Sequence, residues 1–131
     1  LSELPRYVER VSQGVGTPVP RNYPVFGEDA FRTATGVHAA AIAKALRTGD
    51  DYLADVIYSG VPAGMFGLSQ QIEIGRMSGK SNVLFWLASK KLPDHPDLVS
   101  SILTEAHESR SVLTEEQLHG IVENWKSTAL A

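Results

Sequence analysis

Two clusters of proline and glycine limit this chain to short helical segments. The first, residues 13–24, reads QGVGTPVPRNYP and holds three prolines and two glycines in twelve residues. The second, residues 59–64, reads SGVPAG. Proline lacks the backbone donor that a helix needs, and glycine has a low helix propensity, so no helix is expected to run through either cluster. We predict a loop or structured linker at each one.

Apolar residues recur at helical spacing on both sides of these loops. In the first segment the stripe consists of Leu1, Leu4, Val8 and Val11. It predicts an amphipathic helix that begins near Ser2, because Pro5 is tolerated only in a first turn. The alanine-rich segment over residues 29–46 predicts a second helix, whose firm part begins after Gly36 and ends at residues 48–49. A short third helix is expected over residues 51–56.

The C-terminal half predicts three more helices in close order. Residues 81–91 are apolar on nearly every side, which fits a helix buried between other elements or against a partner. Residues 97–110 form the next helix, and its start is marked by Asp94, Pro96 and Asp97. The last helix begins with a capping box, Thr114-Glu-Glu-Gln117. Only residues 71–74 alternate in polarity as a strand does. The expected fold is therefore mainly α: small helical subdomains with one short strand or hairpin.

Charge and cysteine content exclude several classes of function. The chain has 131 residues, 12 Lys+Arg against 15 Asp+Glu, and no cysteine. Without cysteine there can be no disulfide, thiolate nucleophile or cysteine-bound metal, which leaves His, carboxylates, Tyr and Lys for chemistry and favours a reducing compartment, the cytoplasm. No basic patch suggests a nucleic-acid partner. The longest apolar run, Val83–Ala88, is too short to span a membrane.

One glycine segment is similar to a phosphate-binding loop. Residues 75–81 read GRMSGKS, but only three residues separate the glycines, whereas the nucleotide-binding motif needs four. We therefore interpret this segment as a turn that joins a strand to the helix after Ser81, with Lys80 in solvent.

The titratable residues offer few candidates. His95, His107 and His119 have no metal-ligand spacing and are expected to be structural. Asp50 and Asp51 could be an acid–base pair, but after Gly49 they more readily start a helix. No metal site is expected in this chain, and no substrate-binding residues can be named.

For two residues a functional role is an alternative to a structural one. His38 follows Gly36 and is surrounded in sequence by alanines, so its ring could project into a pocket formed elsewhere; the alternative is a partly exposed helical histidine. Tyr58 precedes the second loop, where a phenol can anchor packing or bind a ligand. The residues alone do not decide between these alternatives.

Two motifs follow one another along the chain. The first is Asn22-Tyr-Pro-Val-Phe-Gly-Glu-Asp-Ala-Phe31, followed by Thr35-Gly-Val-His38. The second is Phe66-Gly67, followed by Ile72-Glu-Ile-Gly-Arg-Met-Ser-Gly-Lys80. This order resembles the region after the catalytic barrel in 2-isopropylmalate synthases and the related homocitrate and citramalate synthases. Their patterns are N-x-P-[IV]-x-G-x-x-A-F, then S-G-I-H, then V-G and G-K-x-S-G-[KR].

The resemblance implies a Claisen-type condensation of acetyl-CoA with a 2-oxo acid. In the family a divalent metal (Zn, Mg or Mn) in the barrel polarises the ketone, the acetyl-CoA enolate attacks it, and the thioester is hydrolysed. The family's histidine in S-G-x-H matches His38, and its tyrosine before the V-G segment matches Tyr58. These matches imply that His38 is a catalytic acid or base and that Tyr58 positions or polarises the thioester or the ketone.

The chain is too short to include a barrel of about 250 residues. The resemblance therefore implies part of an acyltransferase (EC 2.3.3 type) of leucine biosynthesis, inactive alone, with no cofactor in this chain. Its expected partners are a barrel domain or subunit and a second copy in a homodimer. We predict three parts: residues 1–20, a terminal barrel-type helix and linker; residues 21–66, a subdomain I-like segment with His38 and Tyr58; and residues 67–131, a subdomain II-like helical bundle.

Two alternatives stay open. The chain could be a non-catalytic helical dimerisation or interaction domain that stabilises a barrel partner. It could also be the same region of a homocitrate or citramalate synthase, because in this family the side-chain pocket for the 2-oxo acid lies largely in the barrel.

Overall fold

The computed structural model describes residues 1–129, which form two units. The first unit combines residues 1–32 with 44–71, and the second combines residues 33–43 with those described from 72 onward. The helices are α1 (Leu4–Val15), α2 (Gly36–Arg47), α3 (Asp51–Val56), α4 (Lys80–Ser89), α5 (Pro96–Glu108) and α6 (Glu115–Ala129), with a 3₁₀ turn at Ala63–Phe66. The mainly α class is confirmed, and residues 1–129 contain no barrel. The division at residues 20 and 66 stays a prediction, and residues 130 and 131 of its last part lie outside the described residues.

The strand prediction was incomplete. Residues 71–74 contribute only β2 (Gln71–Ile72), and it pairs with β1 (Arg32–Thr33), which polarity alternation did not reveal. The amides of Gln71 and Glu73 donate to the carbonyls of Phe31 and Thr33, so both strands run in the same direction. The pair is therefore a parallel contact between distant segments and not a hairpin.

Helix α1 extends three residues into the first proline and glycine cluster. It stops at Gly16, whose φ of 68° is the left-handed conformation that glycine adopts without a Cβ clash. The amide of Thr17 donates to the carbonyl of Ser12 at 3.1 Å and completes this end. The cluster therefore acts as a stop signal at Gly16, with the loop beginning behind it.

Helices α4, α5 and α6 enclose the core of the second unit. The buried apolar side chains of these helices and the loops beside them are Ile74, Val83, Trp86, Leu87, Leu98, Val99, Ile102, Ala106, Leu113, Leu118 and Val122. The all-round apolar helix therefore lies between neighbours, as predicted. Within residues 1–129 no helix combines the length and the apolar composition that crossing a membrane requires.

The helix starts were predicted with mixed success. The capping box is confirmed: the Thr114 amide donates to the Gln117 side chain at 2.9 Å, and the Gln117 amide donates to Thr114 Oγ1 at 3.3 Å. The sequence marks the start of α5 by Asp94, Pro96 and Asp97, and in the structure the N-cap is His95, whose Nδ1 accepts from the Asp97 amide at 3.3 Å. A neutral imidazole nitrogen can replace the usual carboxylate acceptor at this position.

Glu115 links α6 to α4. Its carboxylate accepts from Trp86 Nε1 at 3.1 Å and lies 3.0 Å from Lys90 Nζ. Partial burial raises the pKa of Glu115, but hydrogen bonds from Lys90 and Trp86 and the charge of Lys90 outweigh it, so the pKa lies below its ordinary value of 4.5. The carboxylate therefore stabilises the fold above pH 4.5, and this contribution is lost as the pH falls through the folded-state pKa.

Replacing Glu115 by Gln is expected to lower the free energy of unfolding by about 0.5 kcal/mol at pH 7, because the ion pair is exposed. Lowering the pH to 2.5 shifts the Glu115 carboxyl towards its neutral form, so the difference between the two proteins should become smaller. Urea unfolding followed by tryptophan fluorescence at the two pH values measures this. A difference that is equal at both pH values would contradict the electrostatic explanation.

Candidate functional site

His38 lies in the first turn of α2. The helix begins at Gly36, and His38 is half-buried between Val37, which is 71% exposed, and Ala39, which is fully buried. Ala39 thus fixes one side of the helix in the core while Val37 faces solvent. The ring is therefore attached to a helix end whose rotation about its own axis is restricted by packing.

A buried polar network holds the backbone just before this helix. Ser78 is 5% exposed and Asn82 is fully buried. Ser78 Oγ donates to the Ala34 carbonyl at 2.6 Å, and Asn82 Nδ2 donates to the same carbonyl at 3.3 Å. Asn82 Nδ2 also donates to the Glu73 carbonyl at 2.8 Å. The Ala34 carbonyl, four residues before His38, is thus fixed by two side chains distant in sequence.

The same two side chains shape the turn between β2 and α4. Ser78 Oγ accepts from the Gly75 amide at 2.9 Å. Asn82 Oδ1 accepts from the Gly79 amide at 3.1 Å, which is one half of a capping box at the start of α4. Each side chain therefore uses both donor and acceptor capacity, as buried polar groups do in native proteins.

Gly36 and Gly79 bring the two backbones into direct contact. The Gly36 amide donates to the Met77 carbonyl at 2.9 Å. A Cβ at Gly36 would lie 2.9 Å from the Gly79 nitrogen, a distance that no side chain tolerates. The start of α2 can therefore approach the 75–79 turn this closely only because position 36 is glycine, whereas a Cβ at Gly79 would lie at an ordinary contact distance of 3.7 Å from the Gly36 Cα. We call this contact, with Ser78 and Asn82, the α2 clamp.

His107, on α5, contacts the α2 clamp. Its Nε2 lies 3.1 Å from the Ser78 carbonyl. The prediction that His107 is structural agrees with this contact. His95 caps α5 and packs on Trp125 with ring centroids 5.4 Å apart, and His119 meets Trp86 at 5.5 Å. These three histidines thus have structural contacts, as the sequence indicated.

Tyr58 lies in the first unit, just after α3, and is 50% exposed. The segment behind it is held at two points. Asp55 Oδ2 accepts from the Gly64 amide at 2.7 Å, and Ser59 Oγ donates to the Val61 carbonyl at 2.7 Å. The phenol is therefore displayed at the surface by a loop whose two ends are fixed.

The first motif forms a tight loop and one side of a cavity. Gly27 is buried, and its amide donates to the Tyr23 carbonyl at 2.9 Å. Phe26 packs on Phe66 with ring centroids 5.8 Å apart. A cavity of about 640 Å³ opens between α1 and this loop, lined among others by Val8, Phe26, Phe31 and Leu68. The first unit thus carries a concave surface on the segment of the first motif.

The predicted site residues fall in different units, His38 in the second and Tyr58 in the first. Asp50 is the N-cap of α3, with Oδ1 accepting from the Leu53 amide at 2.8 Å, so its interpretation as a helix start is confirmed. Lys80 is exposed, as predicted, but it is already the first residue of α4, which was expected to begin after Ser81. Within residues 1–129 no group of three or more His, Asp or Glu side chains could hold a metal ion.

Ser78 and Asn82 were not identified from the sequence. Their hydrogen bonds to Ala34 connect positions 44 and 48 residues apart. The one local signal was their position: Ser78 lies just before an otherwise apolar helix and Asn82 lies in its first turn, where uncharged polar side chains often cap the helix.

No family model matches the chain. Among curated proteins, it is 32% identical over 118 residues to a homocitrate synthase of Pyrococcus abyssi, which covers 90% of this chain and 30% of that protein. It is 29% identical over 116 residues to a probable 2-isopropylmalate synthase of Ignicoccus hospitalis, covering 86% and 27%. It is 31% identical over 84 residues to an (R)-citramalate synthase of Aquifex aeolicus, covering 64% and 14%. The chain spans less than a third of the length of these relatives.

Proposed function

The chain is a homologue of one region of the homocitrate, 2-isopropylmalate and citramalate synthases, and we propose that it serves as the post-barrel region of an acyltransferase of this group. It completes an active site built mainly by a barrel, in the same polypeptide or in a partner subunit. The reaction condenses acetyl-CoA with a 2-oxo acid. The 2-isopropylmalate reaction is our first assignment, and the homocitrate and citramalate reactions are the alternatives.

One observation carries this proposal. The likeness to a homocitrate synthase extends over 90% of the chain, and the α2 clamp joins the two motifs that define the resemblance. The start of the helix with His38 comes from one motif, and Ser78 and Gly79 come from the other. Residues that are far apart in sequence thus meet at the backbone two to four residues before the candidate residue, which a general helical scaffold would not require.

In the proposed reaction His38 moves a proton. A base removes a methyl proton from acetyl-CoA, the resulting enolate carbon forms a bond to the ketone carbon, and the ketone oxygen takes up a proton. Water then cleaves the thioester and CoA leaves with the sulfur. An imidazole can accept or return a proton near neutral pH, and we assign His38 this role in acetyl-CoA activation. The Tyr58 hydroxyl donates a hydrogen bond to the thioester or the ketone oxygen.

The residues described here do not fit a metal site, so we assign no step to a metal held by this chain. The divalent ion that would polarise the ketone belongs to the proposed barrel. Exposed apolar side chains occur in the segments that carry or hold the candidate residues: Val37, next to His38, is 71% exposed, Met77 of the 75–79 turn is 72% exposed, and Met65, seven residues after Tyr58, is 53% exposed. They favour a protein surface over these faces, which we propose to be the barrel of a second subunit in a homodimer. The proposal includes a cytoplasmic enzyme of leucine biosynthesis.

We expect the purified 131-residue chain to release no CoA from acetyl-CoA and a 2-oxo acid, because the proposal assigns the ketone-binding and metal-binding groups to the barrel. The barrel polypeptide lacking this region should also be inactive. Mixing or fusing the two should produce CoA release, followed as free thiol with 2-oxoisovalerate, 2-oxoglutarate and pyruvate as separate substrates.

The controls separate catalysis from scaffolding. CoA release by the chain alone, or an unchanged rate for the barrel alone, would contradict the proposal. A barrel that aggregates alone and needs only the His38→Ala chain to regain its full rate would favour the interaction-domain alternative. The 2-oxo acid with the highest kcat/KM selects among the three reactions.

A further inference from the structure

The α2 clamp contains buried polar side chains, which need hydrogen-bond partners that apolar side chains in the same place would not need. Among the described residues of the second unit, Ser78 and Asn82 are the polar residues whose side chains are buried, and all their described hydrogen bonds end on backbone atoms of residues 34 and 73–79. Burying such groups costs free energy unless every partner is placed well. Their hydrogen bonds therefore define one geometry of this backbone, which packing alone would define less sharply.

That geometry determines where the His38 ring lies. The Ala34 carbonyl receives both side chains, and the Gly36 amide is tied to the Met77 carbonyl, so two of the four residues before His38 are fixed. The Cβ of His38 follows directly from the direction of this first turn. A shift of about 1 Å in a catalytic group can lower the rate about a hundredfold.

We propose that Ser78 and Asn82 are positioning residues for His38. They fix the entry of α2 so that the imidazole is presented at one place and angle, and they do not touch substrate. This inference rests on the proposed function of His38. It assigns a role to the serine of the second motif, which the nucleotide-loop comparison and the catalytic assignment both leave without one.

Two substitutions separate this role from helix capping. Ser78→Ala removes the 2.6 Å hydrogen bond to Ala34. Asn82→Asp keeps an oxygen for the Gly79 amide and so keeps the α4 cap, but at pH 8 it loses both donors to the carbonyls of Ala34 and Glu73. Val122→Ala is the matched control, because it weakens the core of the same unit from α6, a helix that contributes no residue to the clamp.

In the barrel-containing assembly, each clamp variant is expected to lower kcat about tenfold to a hundredfold per folded protein. Val122→Ala should change kcat less than about twofold after the same correction. In a His38→Ala background, Ser78→Ala and Asn82→Asp should have no further effect, since their role acts through the ring. An equal loss in both backgrounds, or no loss in either, would overturn the inference.

The position of the His38 ring can also be tested without catalysis, by NMR spectroscopy of the 131-residue chain. The Cε1–H resonance of His38, assigned by its disappearance in His38→Ala, should move or split in both clamp variants and stay in place in Val122→Ala. An unmoved resonance in folded clamp variants would overturn the inference. If His38→Ala leaves kcat unchanged, the proposed function fails; if it abolishes activity while the clamp variants remain fully active, only the positioning role fails.

Discussion

Replacing His38 by Ala is expected to lower kcat of the barrel-containing assembly about 10²- to 10⁴-fold, which is the range of a general acid–base contribution. The fold should persist, because His38 is only half-buried and alanine favours a helix. A residue that acts only in the transition state lowers kcat and kcat/KM together, so KM for acetyl-CoA should change little. Steady-state CoA release over a range of acetyl-CoA concentrations measures both constants.

A second histidine supplies the matched control for this substitution. His119 is exposed on α6 and contacts Trp86 and Glu115, so His119→Ala removes an imidazole without touching the α2 clamp. It should leave kcat nearly unchanged. Equal losses in both variants would show a general effect on folding, and an unchanged kcat in His38→Ala would contradict the catalytic role. Tyr58→Phe, which removes one hydroxyl, should give a smaller loss than His38→Ala in the same assay.

The helices could be predicted because their signals are local. The capping box at residues 114–117 and the breaker clusters act within a few residues, and the short helix expected over residues 51–56 is present as α3. Strand β1 contains two residues, too few for alternation to register, and exists because β2 supplies its partner from a distant segment. The cap at His95 was missed because a neutral imidazole is a rare acceptor in that place.

The candidate site divides in the same way. His38 and Tyr58 were named through motifs that are contiguous in sequence. The clamp depends on hydrogen bonds from Ser78 and Asn82 to a carbonyl 44 and 48 residues away, and on the close approach of two glycines. Such contacts follow from tertiary packing, which one sequence does not reveal. The segment with the spurious likeness to a nucleotide loop therefore proved to be the support of the candidate catalytic helix.

The second large effect is expected at Gly27, the glycine of the first motif. A Cβ there would meet the carbonyl of Arg21, the amide nitrogen of Tyr23 at 2.5 Å and the carbonyl of Pro20 at 2.7 Å. All three are backbone atoms, so the whole 20–23 turn would have to move. Its hydrogen bonds to Gly27 and Asp29, both 2.9 Å, would be lost with it. Gly27→Ala should therefore lower the free energy of unfolding of the first unit by about 3 kcal/mol, at the upper end of overpacking costs.

The matched control is Gly14→Ala, in which the same methyl group is added inside α1 with no atom within 4 Å. It should stabilise the protein by about 1 kcal/mol, because alanine has the higher helix propensity. The chain offers separate probes, since its four tyrosines at 7, 23, 52 and 58 lie in the first unit and its two tryptophans at 86 and 125 in the second. In urea, the tyrosine ring signals in NMR spectra should report earlier unfolding of Gly27→Ala, and later unfolding of Gly14→Ala, than of the unmodified chain. The steric argument predicts that Gly27→Ala destabilises the first unit, and helix propensity predicts that Gly14→Ala stabilises it. If both variants shifted the urea midpoint equally and in the same direction, the steric argument would be contradicted.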